Sequence, residues 1–303
     1  MHVLNSLEET IPHGDSMFPL NIYQDKHINP TLDLYTHWHE EVEIIYVEQG
    51  IFTLVINGQE YIARTGDCFI INSQDLHQAF SYQQSDSQHF AIVFNLSLFN
   101  SFEYDACQHK YINPLVNGEI LFPVYLNTQT ETGSLIKQSL QQILCFYQTK
   151  PFGWELGIKS NLFQIFSHLI LSKQMIYSEK EHYTIQLNKL NMVKNSLEYI
   201  HHHYKNKLMI SDIAQMLHIS PEYYSRIFKL YTGKTPIEYV NDYRIDQATK
   251  LLMLTDQSIL DISLDCGFEN TSYFIRKFKS KKGMTPKKFR GTHLNLKLSS
   301  KNK

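Results

Sequence analysis

The chain has only four cysteines in 303 residues, Cys68, Cys107, Cys145 and Cys266. None forms a C-x-x-C pair, so neither a disulfide framework nor a thiolate zinc site is expected. Scattered this widely, they read as buried small hydrophobes in a reducing compartment. Nowhere do about 18 apolar residues run unbroken, which leaves no candidate membrane helix. The opening Met-His-Val-Leu-Asn-Ser-Leu-Glu-Glu lacks the basic region and apolar run of a secretory signal. The expectation is a cytoplasmic protein with no membrane partner. P-loop, G-x-S-x-G, H-E-x-x-H and dinucleotide fingerprints are also missing. That removes support for the commoner enzyme chemistries, and no cofactor is expected.

What is present is a segregation of charge. The net formal charge is only -2, but residues 1–188 carry 8 Lys and Arg against 20 Asp and Glu, while residues 189–303 carry 20 against 10. A basic C-terminal part beside an acidic N-terminal one points to a polyanion partner for the former. Length and an apolar content of 43% suffice for two ordinary cores. The expected division is a domain over 1–177, a polar linker at 178–188, a second domain over 189–292 and a polar tail at 293–303. Lys297, Lys301 and Lys303 lie in that tail, but the second part stays basic without them.

From Leu34 to about Val93, short β-rich segments alternate with turn signals, the pattern of an antiparallel sandwich or barrel. Asn57-Gly58 between two apolar runs marks a tight hairpin, and Gly66-Asp67 a second turn. Residues 95–133 give no clear pattern. Ser134–Tyr147 (Leu135, Ser139, Ile143, Phe146) and about Trp154–Met175 (Leu162, Ile165, Phe166, Leu169) repeat apolar residues at helical spacing. His37, His39 and Glu43 fall on alternate positions of one segment, so a strand would point them to one face, and His77 follows the second turn. The run H-x-H-x-x-x-E-x6-G resembles the first metal motif of the cupins, small β-barrels in which three His and one Glu hold a divalent ion. The second motif departs from that pattern, with Asn72, Gln74 and Ser81 where Pro, Gly and Asn are usual. Three readings stay open: a small-molecule pocket, hydrogen-bonded core histidines, or a metal site at His37, His39, Glu43 and His77. The pocket reading leads, with Trp38, Arg64, Tyr35 and Tyr46 as further lining, since aromatics stack on sugar rings and Arg fixes polar groups; no metal is assigned.

Sliding the C-terminal part on itself by 50 residues exposes a repeat. Arg226, Phe228, Lys229, Gly233, Thr235 and Pro236 recur as Arg276, Phe278, Lys279, Gly283, Thr285 and Pro286. One residue out of step, Asp212-Ile213-Ala214 recurs as Asp261-Ile262-Ser263. Each copy spells a short helix, a tight turn and a longer helix closed by Gly. In a helix-turn-helix the first helix braces the backbone and the second enters the major groove. Ser220 and Asn270 are the expected N-caps. Tyr224, Ile227 and Phe228 then face inward in one copy, Phe274 and Phe278 in the other. Glu222, Ser225, Arg226 and Lys229, and Thr271, Ser272, Arg276 and Lys279, face outward. Arg can fork onto guanine, and Ser or Thr can contact base edges or phosphate. Tyr223 and Tyr273 read equally as DNA contacts or half-buried aromatics. His201-His202-His203 sits on a helix, where consecutive residues face different ways, so packing or solvation is expected there.

Residues 190–291 resemble the DNA-binding domain of the AraC/XylS family of bacterial transcription regulators. The resemblance is carried by Ser220-Pro-Glu-Tyr-Tyr-Ser-Arg-Ile-Phe-Lys229, Arg244, Ala248, Leu251-Leu252, Gly267-Phe268, Ser272-Tyr-Phe274, Arg276-Lys-Phe-Lys279 and Gly283-Met-Thr-Pro286. It departs at His218, where such a turn often has Gly. It implies an α+β two-domain chain: an N-terminal cupin-like β-barrel with two helices, then an all-α tandem helix-turn-helix domain. It further implies two recognition helices joined by a linker helix near Pro236–Leu254, reading successive major grooves roughly 34 Å apart. Base-reading positions carry over to Glu222, Ser225 and Arg226, and to Thr271, Ser272 and Arg276. The implied partners are double-stranded DNA, RNA polymerase, a small-molecule effector such as a sugar, and a second copy of the chain, through residues 134–175, in a homodimer. An activator is the leading reading. The alternatives are a metal-dependent cupin enzyme fused to a DNA-binding domain, and a regulator switched by protein contacts or cysteine redox state.

Overall fold

Strands dominate the first third of the chain. β1 (Leu20–His27) and β2 (Asp33–His37) precede the 15-residue β3 (Val42–Ile56), followed by β4 (Gln59–Arg64), β5 (Cys68–Ile71), β6 (His77–Ser81) and β7 (Ser87–Phe94). The structure is a computed structural model and describes residues 7–9, 12–27, 33–101, 103, 105–177 and 180–292. The polar tail expected at 293–303 lies outside them. Asn57 (φ 48°) and Gly58 (φ 81°) are both left-handed, as a two-residue hairpin turn between right-twisted strands requires.

β3 organises the sheet because it changes partners midway. Its first half pairs with β7 and β5, its second half with β4 and β6, all antiparallel. The change falls at Gly50, where φ is +86° and a Cβ would stand 2.0 Å from the Asp86 carbonyl oxygen. Only glycine lets the two strands come that close. β1 adds to β7, and β2 to β6. Among the described residues the set does not close: one path runs β1-β7-β3-β5 and on to a two-residue strand at Tyr125–Leu126, while β2-β6 and β4 branch from β3. The expected cupin-like antiparallel β-unit is present, as an open set of two strand groups hinged on β3 among the described residues. Alternation divides β3 between two cores. Val42, Ile44 and Tyr46 face a cluster shared with two helices, while Ile45, Val47, Phe52, Leu54 and Ile56 meet Phe69, Ile71 and Ala79 inside the folded sheet.

The unreadable stretch after β7 proves to be made of short pieces. A 3-10 turn (Leu96–Phe99) and a π turn (Gln108–Ile112) lead into α1 (Asn113–Val116), β8 (Ile120–Leu121) and β9 (Tyr125–Leu126). The two expected helices follow as α2 (Glu131–Thr149), capped by Thr130, and α3 (Trp154–Leu171), with β10 (Ile176–Tyr177) beyond them pairing with β8. α3 buries Leu162, Ile165, Phe166 and Leu169 as its periodicity predicts. α2 buries Ser139 and Ile143 of the expected stripe, but Leu135 is 41% exposed, and Ile136 and Leu140 take the core side. Of the cysteines, only Cys68 and Cys266 are buried; Cys107 and Cys145 are exposed, against the expectation for all four. Both exposed thiols sit on helical segments whose apolar face lies elsewhere.

The chain divides into compact units at 189/190. Residues 180–188 of the expected linker are not loose but begin α4 (Lys180–His203), since the stretch holds no Gly or Pro and its polarity suits a solvated helix; Ser178 and Glu179 lie outside the described residues. Five more helices follow in the second unit, α5 (Ile210–Met216), α6 (Pro221–Thr232), α7 (Pro236–Leu254), α8 (Ile259–Asp265) and α9 (Thr271–Lys282), and residues 286–292 are again helical. α8 starts 49 residues after α5 (259 against 210), and α9 starts 50 after α6 (271 against 221), matching the sequence repeat. No described helix is long and apolar enough to cross a membrane.

Candidate functional site

In each copy of the repeat, the same backbone device turns the chain between helices. After α5, His218 N–H donates to the Gln215 carbonyl and Ile219 N–H to Ala214; after α8, Gly267 N–H donates to Leu264 and Phe268 N–H to Ser263. This paired closure needs a left-handed residue at the helix end. Gly267 supplies it with φ +82°, and His218 with φ +56°. Ser220 Oγ and Asn270 Oδ1 then accept the backbone N–H of Tyr223 and Tyr273, starting α6 and α9.

The amphipathic split of both long helices follows. Tyr224, Ile227 and Phe228 are buried on α6, Phe274 and Phe278 on α9. Truncating one of these fully buried Phe rings costs about 3–5 kcal/mol. Glu222, Arg226 and Lys229 are exposed and Ser225 is half-buried; Ser272, Arg276 and Lys279 are exposed and Thr271 is half-buried. The structure thus brings each set of four onto one solvent face of its helix. The Thr271 hydroxyl is engaged with Ser263 of α8, 3.0 Å away. A further element, on which the sequence is ambiguous, is the half-buried tyrosine beneath each arginine. The Arg226 guanidinium lies 5.3 Å from the Tyr223 ring centre, and Arg276 lies 6.0 Å from Tyr273. The cation–π contact braces both arginines one helical turn along from a fixed ring.

α7 ties the second copy together. Thr235 and Glu238 form a reciprocal capping box at its start. Ile245, Ala248 and Leu252 enter the core of Phe268, Phe274 and Phe278. Asp246 binds Lys281 at 2.6 Å and Lys282 at 3.2 Å. Arg244 Nε and Nη2 donate to the carbonyls of Tyr204 and Asn206 at 2.7 and 2.8 Å, anchoring α7 to the segment after α4. His201 is not a metal ligand candidate: it stacks on Tyr243 with ring centres 4.0 Å apart and bonds the Tyr239 hydroxyl. Burial lowers its pKa to about 4.

In the first unit, the strand alternation buries His37 and His39 and leaves Trp38 between them half-buried. His37 ends β2 and pairs with His77 at the start of β6; Glu43, on the inner side of β3, comes up beneath them. Glu43 Oε2 lies 3.3 Å from His39 Nε2 and 3.2 Å from His77 Nε2. Each imidazole Nδ1 faces a backbone carbonyl: His37 that of Tyr35 at 2.9 Å, His39 that of Glu41 at 3.1 Å, His77 that of Asp75 at 2.9 Å. Burial pushes the Glu43 carboxyl up, but its contacts with His39 and His77 outweigh this and hold it well below the usual range. Burial opposes protonation of His39, and Glu43 overrides it, so that its pKa is raised. His37 is held well below its ordinary value by burial and by neighbouring His77.

Two residues not anticipated from the sequence join the cluster from the segment before β1. Glu9 Oε2 is 3.4 Å from His37 Nε2, and buried His13 packs against His39 while its Nδ1 bonds the Tyr23 hydroxyl. Glu9 is placed by a backbone bridge, its N–H donating to the Trp38 carbonyl. Their sequence distance from the motif leaves no local signal. Arg64 is exposed at the end of β4, its guanidinium turned onto the Ile62 carbonyl; Tyr46 is in the core against Phe90, and Tyr35 is 41% exposed.

A duplicated helix-turn-helix with exposed basic faces, carried in one chain with a sheet unit that holds a buried polar cluster, defines a two-part DNA-binding transcription regulator. Comparison with known proteins gives the family. A helix-turn-helix domain family matches residues 213–292 and the AraC-like ligand binding domain family matches 29–166. The chain is similar over 93% of its length to the uncharacterized HTH-type transcriptional regulator YdeC of Bacillus subtilis, 29% identical over 94% of that protein. It is 26% identical to the HTH-type transcriptional activator RhaS of Escherichia fergusonii, covering 84% of this chain and 86% of that one. Among solved structures, fatty-acid-bound ToxT of Vibrio cholerae is 17% identical, covers 92% of this chain and 97% of its own, and has a TM-score of 0.39. The chain belongs to the AraC family of transcription regulators.

Proposed function

We propose that the chain is an effector-responsive transcription activator that binds DNA through α6 and α9 as a homodimer. The observation that carries this reading is the doubled arrangement of an exposed arginine braced on a tyrosine, on two helices set up by identical turns. Arg226 and Arg276 are assigned to base edges, with Glu222, Ser225, Ser272 and Thr271 beside them and Lys229 and Lys279 on phosphate. Thr271 contributes through its methyl group while its hydroxyl holds α8. The effector is assigned to the first unit, near His37, His39, Glu43 and His77; Trp38 and Arg64 contribute only where a ligand extends beyond the cluster. A sugar is the first candidate, on the family resemblance, and the name of the RhaS relative supports activation. Leu135, Phe152, Leu156 and Leu171, all exposed, favour dimerisation through the α2 and α3 region.

A ligand shifts such a protein only through different affinities for its two states. In vitro transcription with RNA polymerase, from a template carrying the selected binding site, tests the reading. Transcripts should rise with protein plus one member of a sugar panel; a fall would make the chain a repressor. Sedimentation should give a dimer that Leu156→Glu converts to monomer.

A further inference from the structure

The two pairs of arginine and tyrosine are not equivalent. In the first copy Tyr223 meets Arg226 through its ring, and its hydroxyl has no hydrogen-bond partner among the described residues. In the second copy the Tyr273 hydroxyl accepts a bond at 3.3 Å from Nδ2 of Asn241, a buried residue of α7 that lies 32 positions earlier. The ring of Tyr273 carries two cations, Arg276 at 6.0 Å and Lys277 at 5.6 Å from its centre. A single aromatic side chain therefore joins α7 to the basic face of α9.

Packing alone does not fix that side chain. Tyr273 is half-buried, and Phe268 meets it with ring centres 6.3 Å apart. Tyr273 and Asn241 also both border a cavity of about 330 Å³, lined from α5, α7 and the start of α9. Space of that size beside the ring leaves room for a second χ1 rotamer; the bond from Asn241 selects one. Asn241 is itself well placed to do so. It lies three residues before Arg244, close to one helical turn, and Arg244 Nε and Nη2 bind the carbonyls of Tyr204 and Asn206 while its guanidinium lies 5.7 Å from the Phe268 ring centre. One stretch of α7 thus grips the segment after α4 through Arg244 and α9 through Asn241.

We propose that Asn241 is a positioning residue for base reading by the second copy: its bond to the Tyr273 hydroxyl fixes the ring against which Arg276 rests, and with it the angle at which Arg276 meets a base edge. The role rests on the assignment of Arg276 to a base edge and deepens it. A guanidinium that forks onto guanine needs two N–H groups in one plane, and such geometry holds only when the supporting side chain is locked in its turn. Asn241, buried on α7, acts only through Tyr273. The first copy has no equivalent bond, so loss of Asn241 affects one half of the DNA site and spares the other.

The test uses the full-length chain and duplexes carrying the sequence it selects from a random pool, intact or with one base pair changed in one sub-block. The readout is the ratio of the two affinities, which partial unfolding leaves alone because it lowers both alike. Arg276→Ala first identifies the sub-block read by α9. Asn241→Ala and Tyr273→Phe should each reduce discrimination there by about fivefold, the low end of what one bidentate arginine supplies. The other sub-block should keep its discrimination. Combined, the two substitutions should cost no more than the larger single loss, as two partners in one bond do, and neither should matter once Arg276 is replaced by alanine. If circular dichroism shows that Asn241→Ala does not fold, Tyr273→Phe, which removes a single oxygen, decides alone. Unchanged discrimination in the α9 sub-block of Tyr273→Phe, or equal losses in both sub-blocks, would overturn the positioning role and leave Arg276 as a base reader. If Arg276→Ala itself alters no base preference, the base-reading assignment fails, and the role of Asn241 falls with it.

Discussion

The two turns of the repeat predict different responses to nearly mirror-image substitutions. At Gly267, φ is +82°, and a Cβ would stand 2.6 Å from the Tyr204 carbonyl oxygen and 2.7 Å from that of Lys205. Those oxygens belong to the backbone segment that Arg244 also grips, so neither can swing aside as a side chain would. Gly267→Ala therefore costs about 1–2 kcal/mol for the left-handed conformation, and separating the two backbone segments costs at least as much again. The total is about 3–5 kcal/mol, in the range seen at strained sites. His218 holds the corresponding place at φ +56° and already tolerates its side chain. His218→Gly relieves about 1 kcal/mol of strain and loses a similar amount to the greater freedom of the unfolded chain, leaving stability within about 0.5 kcal/mol of the parent. Urea unfolding measures both. The only tryptophans, Trp38 and Trp154, lie in the first unit. Their fluorescence should follow that unit unchanged, while circular dichroism reports the weakened helices of the second. The reasoning is refuted if Gly267→Ala stays within about 1 kcal/mol of the parent, or if His218→Gly is as damaging.

Three other outcomes follow from single contacts. His201 is neutral when folded, with its pKa lowered to about 4 by burial, whereas the unfolded chain takes up a proton below about 6.5. Stability of the second unit should therefore fall as pH drops from about 6.5 to 4, by at most about 3 kcal/mol since the ring is only half-buried, and His201→Phe should flatten that slope in pH-dependent urea unfolding. Asp246→Asn, which strips the charge from the paired Lys281 and Lys282, should cost about 1–3 kcal/mol; Asp242→Asn at the more exposed Lys234 pair should cost less than about 1 kcal/mol, both by the same unfolding assay. Thiol titration of the folded chain should show two fast equivalents, from Cys107 and Cys145. Cys68 and Cys266, with burial pushing their thiols up to about 12 and about 11, should react only after denaturation.

The repeat is legible in the sequence because both copies meet the same demands: a cap at Ser220 or Asn270, aromatic residues at the buried positions, and glycine at the helix ends. The Asn57-Gly58 hairpin is legible because few residue pairs accept two positive φ angles. Other features are hidden by physics that acts at a distance. β3 reads as separate strands, since nothing local says that Gly50 passes the chain from one strand group to another, and an alternating pattern is the same whether a sheet closes or stays open. Leu135 fits a helical stripe, but the neighbouring core selects Ile136. The histidine pair and Glu43 are visible through their spacing; His77 is marked only by its place after a turn, and Glu9 and His13 carry no local mark.

The central claim, two base-reading helices with one arginine each, is tested most directly by selecting bound DNA from a random pool with the full-length chain and with Arg226→Ala and Arg276→Ala. The account predicts a motif of two sub-blocks roughly 34 Å, or one helical turn, apart, with each substitution relaxing a different block by roughly 1–3 kcal/mol. A pool that yields no motif with or without effector candidates, or two substitutions that erode the same positions, would contradict it.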